Sequence, residues 1–250
     1  GVNGREINLN IYSKKKKIID QENIFFVLST GRSGTKSIAE SISQHPDAIC
    51  LHEPRQRLIR LSTEFAHGEK SYKEVSHELL DIYSNAYIDD CKAYGESDQK
   101  FFNIIPNLVE LFPKSKFIWL IRDAKEFISS AYGRGWYSEN EKDNGNPGGN
   151  RRERYDFYRL DGSRLEDYDL DNSWENLSQF EKVCWYWTYV NSKIEEELLT
   201  FPSDKWIQLK LRDLNQDHGK MLSFLDLRGD VISIKHINRA DYEKYKYSLW

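Results

Sequence analysis

Residues 24–37 of this chain are IFFVLSTGRSGTKS, and they predict a buried strand, a turn and a helix. The strand is indicated by the continuous apolar run over 24–28, and the helix by the apolar spacing over 36–43. Gly31 and Gly34 let the backbone of the turn come close to a ligand, so that successive N–H groups and the start of the helix face one point. This arrangement favours the binding of an anion.

The side chains of this anion loop, residues 29–37, add positive charge and hydrogen-bond donors. A phosphate or a sulfate is the anion that such a loop suits. The candidate ligand contacts are Arg32, Ser33, Gly34, Thr35, Lys36 and Ser37. The loop differs from that of ATP-binding proteins, because Gly31 lies too close to the next glycine and a Thr separates Gly34 from Lys36. The alternative is a plain strand-to-helix turn that binds nothing.

Composition excludes several classes of protein. The chain has 250 residues, enough for one α/β domain or two small ones, and its net charge of −4 gives no basic field for nucleic acid. Cys50, Cys91 and Cys184 have no metal-ligand spacing, which predicts reduced thiols, no metal site and a cytoplasmic setting. No apolar run approaches the ~18 residues of a membrane span, and no secretory signal is visible. A removed targeting or anchor segment and the oligomeric state are left open.

The other apolar patterns place further strands and helices. Polar residues 1–23 predict a solvated arm, so a single domain is expected over 24–250. Apolar runs predict further strands at 48–51, 117–121 and 206–211. Helices are expected over 55–94 with a break near 67–68, and then at 107–112, 124–132, 174–200 and 221–227. Strands that alternate with helices predict a three-layer α/β fold, with a central, mostly parallel sheet flanked by helices.

Polar residues follow two of these strands, at the edge where open α/β sheets bind ligands. His52 and Glu53 come after the strand at 48–51, and Arg122 comes after the strand at 117–121. The guanidinium of Arg122 offers a fork of donors to a phosphate, and Ser130 lies about two helical turns further on. The alternative is that Arg122 pairs with a nearby carboxylate such as Asp123 and that Ser130 only packs.

Two of these motifs resemble signatures of the sulfotransferases that use 3′-phosphoadenosine 5′-phosphosulfate (PAPS). Gly-Arg-Ser-Gly-Thr after a buried strand resembles their 5′-phosphosulfate loop, and residues 111–132 resemble the second signature, which contacts the 3′-phosphate. Weaker matches extend the resemblance over most of 24–230. It implies a P-loop-like sulfotransferase fold, PAPS as donor, adenosine 3′,5′-bisphosphate (PAP) as product and no metal requirement. It also implies that Arg122 and Ser130 bind the 3′-phosphate.

The chain departs from the family pattern at several positions. Lys36 stands where a second Thr is usual, and Ala124 stands where the Arg-Asp pair is usually followed by Pro. The family's late Tyr-Glu-Asp-Leu is Leu-Arg-Asp-Leu at 211–214. A further cation of the family has a poor counterpart in Lys100, which is expected to be an exposed structural lysine.

The resemblance also implies catalytic roles. Sulfuryl transfer needs an acceptor in line with the sulfur, a base for its proton and positive charge on the departing phosphate. Arg32 is expected to supply that charge, with Lys36 as helper. His-Glu-Pro at 52–54 resembles the Lys-Glu-Pro of some carbohydrate sulfotransferases, which favours Glu53 over His52 as the base. The alternative is that Glu53 only forms an ion pair with a nearby arginine, Arg55 or Arg57.

The function predicted from the sequence is transfer of a sulfuryl group from PAPS to a small-molecule or carbohydrate hydroxyl, or to an amine. The long segment 133–173, rich in glycine and charge, is expected to be a lid or substrate loop over the acceptor, or disordered. Two other functions compete with this one. One is a P-loop kinase or nucleotide hydrolase, and the other is a non-catalytic module that binds a phosphonucleotide.

Overall fold

The computed structural model describes residues 14–139, 141, 159–166 and 173–229. Seven strands lie in these ranges: β1 (Lys15–Lys17), β2 (Ile24–Leu28), β3 (Ala48–His52), β4 (Tyr87–Asp89), β5 (Ala93–Ser97), β6 (Lys116–Ile121) and β7 (Trp206–Lys210). Seven α-helices lie in them as well: α1 (Thr35–Ser43), α2 (Gln56–Ala66), α3 (Tyr72–Ser84), α4 (Ile105–Leu111), α5 (Ala124–Gly133), α6 (Gln179–Leu198) and α7 (His218–Phe224). None of the described helices is long and apolar enough to cross a membrane.

Five strands form the central sheet, in the spatial order β3-β5-β2-β6-β7, and every neighbouring pair is parallel. Because the strands are parallel, all five carboxyl ends lie at one edge. The anion loop follows β2 in the middle of this edge, Glu53 follows β3 and Arg122 follows β6. Ligands bind at this edge in open α/β folds, and it carries the candidate site here.

Helices cover both faces of the sheet, so the fold has three layers. Alternate side chains of β2 pack in opposite directions: Phe25 and Val27 meet the core under α1 and α7, whereas Phe26 meets the core on the other face. That second core is formed by α2, α3, α4, α5 and α6. All five residues of β2 are buried, as its continuous apolar sequence requires. The predicted α/β fold with a parallel sheet is confirmed.

Strand β5 was not predicted, and it lies between β3 and β2. The helix expected to continue to residue 94 is therefore wrong after α3, although the break at His67–Gly68 between α2 and α3 is confirmed. The sequence of β5, Ala-Tyr-Gly-Glu-Ser, lacks the apolar run that marks the other central strands. Gly95 is required there, since a Cβ at this position would lie 2.1 Å from the ring of Phe25.

The expectation of a solvated arm is wrong for its last ten residues, 14–23, which pack on the domain. Strand β1 pairs antiparallel with β4, and Ile18 is fully buried in the larger core. Residues 1–13 lie outside the described residues, and the division of the chain at residue 23 stays a prediction. Most of the predicted lid, 133–173, also lies outside them, apart from 133–139, 141, 159–166 and 173.

Candidate functional site

The two glycines of the anion loop are fixed by conformation and by space. Gly31 and Gly34 have φ values of +74° and +83°, which favour glycine. A Cβ on Gly31 would lie 2.3 Å from Oε1 of Gln99, and one on Gly34 would lie 2.4 Å from Cδ1 of Leu211. The loop is therefore enclosed by the segments that follow β5 and β7.

Hydroxyl groups close the first half of the loop. Ser33 Oγ donates to the carbonyl of Gly31 at 2.8 Å and lies 2.8 Å from Thr30 Oγ1, and the N–H of Gly31 donates to Ser29 Oγ at 3.1 Å. Ser33 is fully buried. Its hydroxyl therefore stabilises the turn, so only its backbone N–H would donate a hydrogen bond to an anion.

The second half of the loop forms the start of α1. No side chain caps this helix at Gly34, whereas α3 and α6 both begin with a complete Ser–Glu capping box. The first backbone N–H groups of a helix have no intrahelical partner, and they attract anions. The side chains of Thr35 and Ser37 are buried in this first turn, and the carbonyl of Thr35 accepts a hydrogen bond from Ser97 Oγ at 3.0 Å. The start of α1 is therefore fixed beside the end of β5.

Three residues of the two signatures meet at the ends of β2 and β6. Nη1 of Arg122 donates to the carbonyl of Arg32 at 2.6 Å, and Nε of Arg32 lies 3.2 Å from Ser130 Oγ. The two arginines therefore lie side by side at the carboxyl edge of the sheet. Asp123 caps α5 by accepting from its first N–H groups, and Arg122 pairs instead with Glu126, with 3.4 Å between Nε and Oε2. The alternative of a carboxylate partner for Arg122 is therefore met by Glu126 rather than by Asp123.

Lys36 differs from the expectation of a cation pointing at the anion. Its ammonium lies 3.8 Å from the carboxylate of Glu40 one helical turn later, and its side chain is 50% exposed. The backbone N–H of Lys36 still belongs to the first turn of α1. Of the predicted charges, Arg32 and Arg122 line the candidate anion site, and Lys36 lies on the outer surface of the helix.

Glu53 lies directly after β3 in a left-handed conformation, with φ +46°. Its N–H donates to the carbonyl of Ser97 at 2.9 Å, and its Oε1 accepts from Nε2 of Gln99 at 3.1 Å. A non-glycine residue in this conformation costs about 1–3 kcal/mol, and such strain is concentrated at functional sites. Two residues at the end of β5 therefore hold Glu53 in place.

The alternative ion pairs for Glu53 are wrong, because both arginines bind other acids. Arg55 donates from Nε and Nη2 to Oε1 of the fully buried Glu96, at 3.1 and 3.0 Å. Tyr83 and Tyr94 donate their hydroxyls to the same carboxylate, so its charge is fully satisfied. The exposed Arg57 pairs with two acids of α3, Glu78 and Asp81.

His52 is the last residue of β3 and faces away from the side chains of Ile49 and Leu51. Because side chains alternate along a strand, His52 lies on the same face of the sheet as Ala48 and Cys50, which pack against α1. Nδ1 of His52 is buried without a hydrogen-bond partner. The choice between Glu53 and His52 as base stays a prediction.

Sequence reasoning missed an acidic side chain in the turn after β5. Asp98 is 1% exposed; its Oδ1 accepts from the N–H of Lys100 at 2.8 Å, and its Oδ2 is buried without a partner. Burial, and then the charge of Glu53, raise the pKa of Asp98 to about 8. This carboxyl is therefore largely protonated near neutral pH. It would have been a candidate from sequence only if β5 had been recognised.

The expectation that Lys100 is exposed is wrong. This side chain is 1% exposed, and its Nζ lies 3.3 Å from Thr63 Oγ1. Burial, and then the charge of Arg159, lower the pKa of Lys100 to about 7, against the opposing charges of Asp98 and Glu53. A lysine with this pKa exchanges its proton near neutral pH.

The far wall of the same region comes from α6 and from residues 159–166. The hydroxyl of Tyr186 is buried without a partner, and burial raises its pKa, while the charges of Arg159, Asp98 and Glu53 also act on it. The guanidinium of Arg159 lies 3.7 Å from the ring centroid of Trp136. Within the described part of the chain, no group of three or more His, Cys, Asp or Glu side chains could hold a metal ion.

Comparisons with known proteins point to one class of enzyme. No family model matches the chain. A protein-tyrosine sulfotransferase of Drosophila melanogaster is 24% identical over 142 residues, which cover 51% of this chain but only 28% of that protein. The structure is similar to a sulfotransferase from Alicyclobacillus acidocaldarius, with a TM-score of 0.52, 14% identity and coverage of 88% of this chain and 87% of the other. A sulfotransferase domain from the curacin biosynthetic pathway gives a TM-score of 0.50 and 14% identity, over 83% of this chain and 75% of that domain.

The chain therefore has the fold of the sulfotransferases, as its two signatures predicted. The structural likeness extends over most of the chain, so it includes the sheet and both layers of helices. Identities this low establish the fold alone.

Proposed function

We propose that this protein is a sulfotransferase that moves a sulfuryl group from PAPS to a hydroxyl or amine acceptor. The observation that supports this most directly is the contact between the two signatures. Arg32 belongs to the first signature, and it bonds through its side chain to Ser130 and through its carbonyl to Arg122, both of the second. In this proposal a single nucleotide spans the contact, with its 5′-phosphate at the first signature and its 3′-phosphate at the second.

Each group is assigned to a part of PAPS according to the hydrogen-bond donors that it offers. The backbone N–H groups at the start of α1 and the guanidinium of Arg32 are assigned to the 5′-phosphosulfate. The fork of Arg122 and the hydroxyl of Ser130 are assigned to the 3′-phosphate. In this assignment the bonds among Arg32, Arg122 and Ser130 are exchanged for bonds to phosphate oxygens.

The transfer itself needs little covalent work from the protein. A bond forms between the acceptor atom and sulfur, and the bond between sulfur and the bridging phosphate oxygen breaks. The acceptor's proton goes to the base, for which Glu53 is the candidate at the neighbouring strand end and His52 the alternative. Arg32 neutralises the negative charge that develops on the departing phosphate.

The acceptor class is supported by the surroundings of Glu53. Asp98, Lys100 and Tyr186, which are all buried, surround Glu53 with polar groups rather than with an apolar wall. Such groups suit an oxygen-rich acceptor, for example a carbohydrate hydroxyl. The name of the Drosophila relative adds a peptide tyrosine to the acceptors worth testing. The segment 133–173 stays a proposed lid over this acceptor.

A ligand series tests the donor assignment. PAP should raise the Tm of the protein strongly, whereas AMP and ATP with Mg²⁺ should raise it much less, because only PAP occupies both anion sites. Turnover of PAPS with carbohydrate, phenol, amine and tyrosine-peptide acceptors then identifies the acceptor. Equal shifts for PAP and AMP would contradict the role of Arg122 and Ser130. Dependence on ATP and Mg²⁺ would favour a kinase, and PAP binding without turnover of any acceptor would favour a binding module.

A further inference from the structure

Gln99 joins the two parts of the candidate site. It lies in the turn after β5, and its side chain fills the space that Gly31 leaves open on the anion loop. Three atoms of this side chain, Oε1, Cδ and Cβ, lie 2.3, 2.9 and 3.3 Å from the position of a Cβ on Gly31. The other end of the amide donates from Nε2 to Oε1 of Glu53 at 3.1 Å.

The contact with Glu53 has a defined polarity. An ionised carboxylate only accepts hydrogen bonds, so it is the N–H end of the amide that can bind it. The remaining end of the amide, Oε1, is buried beside the loop without a partner. Of the two carboxylate oxygens of Glu53, Gln99 occupies one, and the other is left for a proton from the acceptor.

The backbone of Glu53 is held by the same strand end. Its N–H donates to the carbonyl of Ser97 at 2.9 Å, two residues before Gln99, and this bond stabilises the left-handed conformation. The carboxylate and the main chain of Glu53 are therefore both oriented by β5.

We infer that Gln99 is a positioning residue that holds the carboxylate of Glu53 at a set distance from the anion loop. This inference rests on the proposed function, since it takes Glu53 as the base of sulfuryl transfer. Gln99 does not touch the reacting atoms. Its amide sets which carboxylate oxygen faces the acceptor, and its packing on Gly31 sets where that oxygen lies relative to the phosphosulfate.

Two substitutions of similar length separate positioning from space filling. Gln99→Met keeps the packing on Gly31 and removes the donor, and we expect kcat to fall about tenfold while the KM for PAPS stays within about twofold. Gln99→Glu places a second carboxylate beside Glu53, which disfavours the ionised form, so the acidic limb of the kcat profile should move to higher pH. The exposed Gln208→Glu on β7 is the matched control and should change neither kcat nor the profile.

A double-mutant cycle with Glu53→Gln decides whether Gln99 acts through Glu53. If it does, Gln99→Met lowers kcat in the wild type but causes no further loss in Glu53→Gln, and the Tm losses of the two single variants do not add. Equal losses of kcat in both backgrounds, with additive Tm losses, would overturn the inference and leave Gln99 as packing for the loop. The Tm measurements do not depend on activity, so additive Tm losses would overturn the inference even if the enzyme is active. A wild-type protein without PAPS turnover would instead contradict the proposed function.

Discussion

The carboxyl edge of the sheet has two halves with opposite chemistry. The half after β2 and β6, here called the anion half, carries Arg32, Arg122 and the uncapped start of α1. The half after β3 and β5, the carboxylate half, carries Glu53 and Asp98. The first attracts negative charge and the second carries acids, although they meet at Gly31 and Gln99. Transfer of a group from an anionic donor to an acceptor requires positive charge beside the donor and a proton-accepting base a short distance away.

Burial reduces the conflict between the halves. Two carboxylates beside a phosphosulfate would repel it, but burial, and then the charge of Glu53, raise the pKa of Asp98 to about 8, so Asp98 is largely protonated near neutral pH. The third acid of this half, Glu96, is buried in an ion pair with Arg55. The carboxylate half therefore presents mainly the charge of Glu53 to the anion half.

The largest effect is expected in the carboxylate half, from Glu53→Gln. This variant keeps the size of the side chain and loses the proton acceptor. The kcat for PAPS turnover should fall by ~10²–10⁴, the usual contribution of a general base. PAP binding, measured by calorimetry, should be almost unchanged, because the anion half is intact.

His52→Ala is the informative partner of that variant, since His52 is the neighbouring candidate. It should retain most of its kcat if Glu53 is the base. A Glu53→Gln enzyme with nearly normal turnover, together with an inactive His52→Ala enzyme, would transfer the role to His52.

The next effect is expected in the anion half, from Arg122→Ala. Loss of a charged donor to phosphate should weaken PAP binding by about 1.5–3 kcal/mol, or about 10- to 150-fold in Kd. Arg57→Ala is the control, because Arg57 pairs with Glu78 and Asp81 of α3 and not with the anion loop. Calorimetry with PAP and AMP should show that the two ligands converge in affinity only in Arg122→Ala. Equal losses for both ligands would contradict recognition of the 3′-phosphate.

The two halves also differ in how far their sequence predicts them. The anion half follows two strands whose apolar runs are continuous, and its glycines, Arg32 and Arg122 stand in recognisable patterns, so strands, loop and helix were all predicted close to their true bounds. In the carboxylate half, Glu53 follows a recognisable strand and was predicted. Asp98 and Gln99 were not, because β5 contains Gly95 and a buried acid instead of an apolar run.

The missed features share a physical cause, which is pairing between distant parts of the chain. Glu96 can be buried in β5 only because Arg55, Tyr83 and Tyr94 surround it, and local patterns do not show these partners. Lys100 is buried for a similar reason, between α2 and the end of β5. Lys36 is an exception, because it pairs with Glu40 four residues later in α1, and this local spacing is visible in the sequence.

A pair of glycine variants tests the contact between the halves. Gly31 and Gly68 have nearly equal φ values, +74° and +72°, but only Gly31 has atoms within 4 Å of an added Cβ. Gly68→Ala should cost about 1–2 kcal/mol from conformation alone. Gly31→Ala should cost about 1–3 kcal/mol more, because Gln99 must be displaced. Free energies of unfolding from urea titrations measure the difference, and equal costs would show that Gln99 moves aside freely.

The smallest effect, counted per pH unit, is expected in the pH dependence of stability that the carboxylate half causes. The pKa of Asp98 is raised from 3.8 to about 8 in the folded protein, so its contribution to stability is complete below 3.8 and is lost as the pH rises towards 8. The pKa of Lys100 is lowered from 10.5 to about 7, so its contribution is complete above 10.5 and is lost as the pH falls through 7. Each proton changes stability by at most about 1.4 kcal/mol per pH unit.

These two slopes oppose each other, which makes them separable by substitution. Asp98→Asn should remove a fall in the free energy of unfolding between about pH 4 and 7, and Lys100→Met should remove a rise between about pH 8 and 10. The exposed Asp204→Asn is the matched control and should run parallel to the wild type across the whole range. Urea titrations at four pH values between 4.5 and 9.5 give the differences. If the curve of Asp98→Asn ran parallel to the wild type below pH 7, Asp98 would be ionised in the folded protein, and the carboxylate half would present two charges to the anion half instead of one.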